Sequence, residues 1–503
     1  MGRWSAPSQQ RLKQPCEPSY QLFRFWVITT VEKKQMKLLK KAALAGTMVL
    51  MATGSAWAEN KFDGVELKML AIGDTSVTRL APIVGEFEKL TGAKVQIDMF
   101  PYPGLIDKIV IEASANNPSY QLMWIDSPWV GVLGESGALE DLTDLVQRDA
   151  AEIHLDDIIP IQLQENSWQG RLLAFPASGM IWHQNYRKDL YDNATEKAAF
   201  KTKYGYDLAP AKDWKQFTDI AQFFTRKAGD KMAGKTLKKD FYGNAQAYSR
   251  VAGAITHDFF PMMRSFGGQY WNPETGLCAM DSTAALKAAE VMKGLIPYNP
   301  PDYLGLMWDI RTGYMERGET AQSGYWSVRT VRLTNPKEAV LPTVGEAGYA
   351  PSPTGDGMAQ PTMTGALSFG INSKSSKKEK EAAWAFIKWG TSRDMMRRFA
   401  EEGSGVSMFH KSILSDKKLQ KRYPYYKVLL ASQENAKRRI FHPFYADVEE
   451  VFGVELNKYM AGETKSAQTA LTNGCTKINT RLKVFPKDMR LRWINDQKAD
   501  IFK

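Results

Sequence analysis

Arg171 to Leu190 reads RLLAFPASGMIWHQNYRKDL. An apolar strand, Leu172 to Phe175, is followed by the small residues of Pro176 to Gly179. An apolar and aromatic strand, Met180 to His183, comes next, and then Asn185-Tyr186-Arg187. Two readings fit this pattern. One is an ordinary hairpin. The other is a passage of the chain out of one α/β unit and into a second at Pro176 to Gly179, with a cleft between them.

The sequence before this stretch supports the second reading. Val65 to Ile72 has strand character, and Gly73-Asp74-Thr75-Ser76 supplies a turn and a helix N-cap. Val77, Leu80, Ala81, Val84 and Phe87 then share one helical face up to Gly92. Lys94 to Phe100 is the next strand, Gly104 to Ala115 the next helix, and Gln121 to Ile125 a short buried strand stopping at Asp126. Strand-helix-strand order predicts a parallel sheet with right-handed crossovers. Ligands of such sheets sit beyond the carboxyl ends of the strands. Those ends are Gly73-Asp74, Pro101-Tyr102 and Asp126 to Trp129.

Beyond the stretch, Asp213 opens a helix whose core face is Trp214, Phe217, Ile220, Ala221 and Phe224. Asp281-Ser282 caps another. Gly313 to Trp326 reads as a helix ending near Gly318, then a short strand running into Gly324-Tyr325-Trp326. Pro351 to Thr364 and Glu402 to Gly405 read as two more crossings between units, the first leading into the apolar strand Gly365 to Ile371. The lysine-rich Lys374 to Glu381 opens an amphipathic helix, which makes a solvated helix start a better reading than a nucleic-acid patch.

Met36 begins a secretory signal. Lys37, Lys40 and Lys41 precede the apolar run Ala42 to Ala52, and Ala56-Trp57-Ala58 supplies a cleavage site after Ala58. The run is too short for a permanent membrane anchor, and no cysteine follows the cut to carry a lipid. Residues 1–35 lie upstream of the signal and carry no expected fold. The leader also explains the charge. Residues 1–58 hold nine basic and two acidic residues, a net of +7 out of the chain's +11, which leaves about +4 for the rest. That is too little to point to nucleic acid. The remaining 445 residues exceed one core, so two domains are expected. Cys278 and Cys475 follow the leader; in an oxidising compartment they either pair or remain as buried thiols.

Several motifs carry no weight. Gly229 to Thr236, GDKMAGKT, matches the P-loop pattern, but a helix precedes it where a strand is needed. The five histidines, His154, His183, His257, His410 and His442, show no metal spacing, and no Gly-x-Ser-x-Gly elbow occurs. No cofactor, metal or catalytic residue is expected.

In order and spacing the chain resembles the bacterial extracellular solute-binding protein family 1, the carbohydrate-binding components of ABC importers. The resemblance is carried by EFEKLTGAKVQI, WIDSPWVG with ALEDLTDLV, and GRLLAFPASGMIWHQNYRKDL. KDWKQFTDIAQFFT, YMERGETAQSGYW, and TGALSFGINSKSSKKEKEAAWAFIKWG with GSGVSMF carry it further. It implies a two-lobed periplasmic-binding-protein-like fold (type II). Each lobe is then a mixed, mostly parallel sheet flanked by helices, with the ligand cleft between lobes. Lobe one would be residues 59–178 plus 364–404, and lobe two 179–363 plus 405–503.

Sugars present hydroxyl edges and weakly polar C–H faces, so their sites combine carboxylates with aromatic plates. Trp129, Trp182, Trp271, Trp308 and Trp326 start loops outside any amphipathic pattern. The expected ligand contacts are Trp326 with Tyr325 beside it, Asp74 and Asp126 as hydroxyl acceptors, and Tyr102, Trp129, Trp182 and Trp271 as plates. Gly365 would let backbone approach the ligand. The implied function is capture of a sugar or polyol in the periplasm by a monomer that docks on a membrane permease. The alternatives are a binder of another small solute on the same scaffold, or a periplasmic glycan-cleaving enzyme.

Overall fold

The computed structural model describes residues 61–356, 363–403, 407–434 and 436–495. The upstream extension and the signal lie outside the described residues, as do parts of the expected crossings at 351–364 and 402–405.

One eight-stranded sheet organises the chain. Its strands are β1 (Glu66–Ala71), β2 (Lys94–Met99), β3 (Leu122–Asp126), β4 (Phe175–Arg187), β5 (Tyr242–Asn244), β6 (Thr320–Trp326), β7 (Ala347–Ala350) and β8 (Thr364–Ile371). The order is β2-β1-β3-β8-β4-β6-β5, with β7 also on β4. β1 pairs parallel with β2 and β3, while β8 runs antiparallel to β3 and β4.

The hairpin reading of Arg171 to Leu190 is excluded. Pro176 to Gly179 is no connector but part of one thirteen-residue strand. Its first half pairs with β8, from Phe175↔Phe369 to Ile181↔Thr364, and its second half lies between β6 and β7, with Trp182↔Trp326 and Gln184↔Ala350. The proline is tolerated because the β8 register shifts between Leu367 and Ser368, opposite this point. Gly179 is needed for space: a Cβ there would lie 2.9 Å from Gln162 and 3.0 Å from Phe409. The strand is buried along nearly its whole length, its polar residues Ser178, His183, Gln184 and Asn185 included.

A second departure follows β1. The single helix expected from Val77 to Leu90 is broken. Helix Thr75–Leu80 gives way to a tighter turn at Ala81–Ile83 and resumes at Val84–Thr91. Pro82, without an N–H, interrupts the ladder. The P-loop-like segment is a small hairpin, Lys231–Met232 with Lys235–Thr236, turning at Ala233 and Gly234, both with positive φ. Cys278 and Cys475 are disulfide-bonded, tying the turn after Trp271 to the helix Ala467–Leu482. Among the described residues no helix is long and apolar enough to cross a membrane, and no group of side chains forms a metal cluster.

Candidate functional site

The ends of β1 and β3 and the turn after β2 converge, as the parallel arrangement requires. Asp74 caps the helix Thr75–Leu80, accepting from the Val77 N–H at 3.1 Å and the Ser76 hydroxyl at 2.8 Å, and it also accepts from Trp124 Nε1 at 3.3 Å. The Tyr102 hydroxyl donates to Asp126 Oδ2 at 3.0 Å. The Tyr102 ring lies 5.1 Å from that of Trp129 and 6.3 Å, edge-on, from that of Trp124.

Asp126 is buried, and its other oxygen accepts from Arg439 Nη1 at 2.7 Å. Burial raises the Asp126 pKa, and the guanidinium opposes that rise. Burial likewise works against the Arg439 charge, but Asp126 together with Tyr445, Tyr102 and Glu449 more than restores it. The Arg439 guanidinium sits 5.0 Å from the Trp326 ring centre, a cation–π arrangement. Gly365 lets it in, since a Cβ at that position would stand 3.1 Å from Arg439 Cδ. Arg439 Nη2 donates to the Tyr445 hydroxyl at 2.8 Å. Tyr445 in turn bonds Glu449, and Glu449 Oε1 meets His257 Nε2 at 2.8 Å. His257 packs on Trp308 with ring centres 5.0 Å apart, and Trp308 meets Tyr102 edge-on at 5.4 Å.

These contacts close a circuit: Asp126, Arg439, Tyr445, Glu449, His257, Trp308, Tyr102 and back to Asp126. Tyr102 and Asp126 come from the β1–β3 side, and His257 and Trp308 from the β5–β6 side. Alongside it is a small cavity lined by His257, Tyr270, Trp326, Met363, Arg439 and Tyr445. Its volume of about 10 Å³ is room for about one water. The Trp326 indole N–H there has no hydrogen-bond partner.

The sequence-derived candidates therefore divide. Asp74, Tyr102, Asp126, Trp129, Trp326 and Gly365 gather around the circuit. Trp182 and Tyr325 do not. Trp182 is fully buried, donating to Asp258 at 3.1 Å and packing near Trp214. Tyr325 packs with Met315, Leu333 and Leu341, because the next residue along a strand points to the opposite face from Trp326. Trp271 lies beside the disulfide, its ring 4.2 Å from His442. Its neighbour Tyr270 is the one lining the cavity.

Sequence reasoning missed His257, Arg439, Tyr445 and Glu449. Arg439 stands in Lys437-Arg438-Arg439, which looks like a solvated basic run, and nothing local marks it as buried. Trp308 carried a signal, as a tryptophan outside any apolar periodicity.

The model of the bacterial extracellular solute-binding protein family matches residues 74–397. A probable amino-acid ABC transporter periplasmic-binding protein of Sinorhizobium fredii is 23% identical over 379 residues, 74% of this chain and 78% of the relative. An erythritol/L-threitol-binding protein of Mycolicibacterium smegmatis is 23% identical over 333 residues, 64% of this chain and 65% of that protein. Among solved structures, an ABC transporter solute-binding protein of Agrobacterium radiobacter in complex with ribitol superposes with a TM-score of 0.73 at 26% identity. It covers 84% of this chain and all of that one. A solute-binding protein of Agrobacterium vitis with bound D-mannitol gives 0.70 at 20% identity, over 84% and 99% of the two chains. The fold is the two-lobed α/β fold of these proteins, and the chain belongs to the bacterial extracellular solute-binding protein family.

Proposed function

We propose that this protein captures a sugar or polyol between its two lobes and delivers it to the permease subunits of an ABC importer. The observation that carries the reading is the buried Asp126–Arg439 pair set among the rings of Tyr102, Trp129, Trp308 and Trp326. Carboxylate and guanidinium address hydroxyls, and aromatic faces address C–H faces. Asp74, Tyr102, Asp126, Trp129 and Trp326 are the ligand contacts of this reading, joined by Arg439, His257 and Trp308. The ribitol, D-mannitol and erythritol/L-threitol partners of similar proteins support the substrate class.

The lobes of this reading are residues 59–178 with 364–404 and 179–363 with 405–503, hinged at the middle of β4 and at β8. Ligand favours the closed state because it touches both lobes. The protein acts as a monomer in the periplasm, exported by the signal at 36–58 and cut after Ala58 without a lipid anchor. It takes no cofactor and no nucleic acid, and it returns its ligand chemically unchanged. A second reading is an amino acid or related zwitterion, favoured by the opposite charges of Asp126 and Arg439 and by the description of the Sinorhizobium relative.

A thermal-shift screen of residues 59–503 against sugars, polyols and amino acids tests this. A ligand that binds only the folded state raises Tm by mass action. A sugar or polyol hit is the expected result. A hit confined to amino acids establishes the second reading, and silence from a folded protein overturns both.

A further inference from the structure

Trp182 and Tyr325, two of the aromatic candidates that lie away from the circuit, flank one buried ion pair. Asp258 and Arg311 form an ion pair with no side-chain exposure. Trp182 donates to Asp258 Oδ1 at 3.1 Å, the Ala247 N–H donates to Oδ2 at 2.9 Å, and the Arg311 guanidinium stands 5.7 Å from the Tyr325 ring. Gly324 makes the arrangement possible, since a Cβ there would fall 2.0 Å from the Trp182 ring.

The pair joins two helices at their starts. Asp258 belongs to Thr256–Ser265 and directly follows His257. Arg311 belongs to Trp308–Glu316 and lies three residues after Trp308, on the same helical face. Both helices thus present one cleft residue and one member of the pair. His257 and Trp308 then pack against each other at 5.0 Å, and Trp308 reaches across to Tyr102.

Stability alone gives little reason for charge here. A buried pair is commonly no better than well-packed apolar residues of similar volume. This one is also incompletely satisfied, because Arg311 Nε and Nη2 have no hydrogen-bond partner. What a pair of fixed geometry supplies is register. Ligand sites depend on supporting residues that hold the contacting side chains to within about half an ångström.

We propose that the buried Asp258–Arg311 pair is a positioning element for ligand capture, fixing the two helix starts that carry His257 and Trp308 against the cleft. The proposal rests on the reading that the solute lies against Trp308 and the Asp126–Arg439 pair.

The test is a double-mutant cycle on affinity, by calorimetry with the best ligand of the screen. The variants are Asp258→Leu with Arg311→Met, Trp308→Ala, and the three changes together. Replacing both charges at once avoids leaving one buried and alone. The paired replacement leaves the Trp182 and Ala247 N–H groups without their acceptor, so it is expected to unfold cooperatively at a lower Tm and to bind roughly tenfold more weakly, a size typical of coupled residues. In the Trp308→Ala background the same replacement is expected to cost less than about twofold, because the pair acts through that ring. Wild-type affinity in the paired variant, or an undiminished tenfold loss without Trp308, overturns the proposal. Should the paired variant fail to fold, Arg311→Lys takes its place. It keeps the charge but not the planar fork. A loss of about two- to fivefold that disappears with Trp308→Ala supports positioning, and wild-type affinity refutes it. A wild-type protein that binds no member of the panel removes the underlying reading instead.

Discussion

Asp126 carries two tasks that pull against each other. Its burial favours the neutral acid, yet its partner Arg439 is itself buried and needs a counter-charge. Removing the carboxylate strands that cation. Asp126→Ala is therefore expected to lower stability by about 3–5 kcal/mol, the usual cost of breaking one side of a buried pair, read from urea denaturation midpoints. A loss below about 1 kcal/mol would mean that water reaches Arg439. Trp326 stands differently: its ring covers the guanidinium, and its N–H is unpaired beside the cavity. Trp326→Ala is expected to abolish measurable sugar or polyol binding in calorimetry while the fold persists, and unchanged affinity would remove it from the site. Legibility at this scale followed locality. Asp74, Tyr102 and Asp126 were visible because strand ends are visible. Arg439 was not, because only packing of a distant segment against β3 and β8 buries it. Trp182 and Tyr325 lie in the core, and the local sequence around an aromatic does not distinguish a core from a cleft.

Elements were more legible than their continuity. The apolar runs of β1, β3, β4 and β8 all announced strands, and Asp213, Ser282 and Ser376 cap the helices that follow them. The errors came from chain breaks that local composition cannot rank. Pro176-Ala177-Ser178-Gly179 has turn composition, yet pairing on both edges of β4 holds it extended. Pro82 sits within an apolar helical face and still divides the helix. Pairing of the two cysteines was open for the same reason: 197 residues separate them, and only the fold brings the turn after Trp271 to the helix Ala467–Leu482. A cross-link over so long a loop restricts the unfolded chain strongly. Cys278→Ser with Cys475→Ser is expected to lower stability by about 2–5 kcal/mol, visible as a lower Tm in calorimetry. The same shift should follow reductant treatment of the wild-type protein, and a variant as stable as wild type would show that the bond adds no net stability.

At the scale of the whole molecule, burial of titratable groups shapes how the stability of the fold varies with pH. Burial lowers the pKa of His183 and His442 to about 3 and of His410 to about 4, from the ordinary 6.5 of a histidine. The unfolded chain takes up these protons below about pH 6.5 while the folded chain does not, so stability falls as pH drops from there toward 4. Glu165 works in the other direction. It follows the helix Pro160–Gln164 and is fully buried. Burial raises its pKa from 4.5 to about 7, against the pull of Arg438 and Arg439 and of Ser127. Between those two values the folded state holds the proton that the unfolded state has released, so its contribution is fully present below pH 4.5 and is lost as pH rises through 7. The difference amounts to something on the order of 3 kcal/mol. Glu165→Gln imitates the protonated acid at every pH. It is therefore expected to leave stability unchanged at pH 4.5 and to raise it by roughly that amount at pH 8, in urea melts at the two values. Equal effects at both pH values would mean that Glu165 ionises freely in the folded protein, and a loss at pH 8 would mean that its charge holds Arg438 and Arg439 in place.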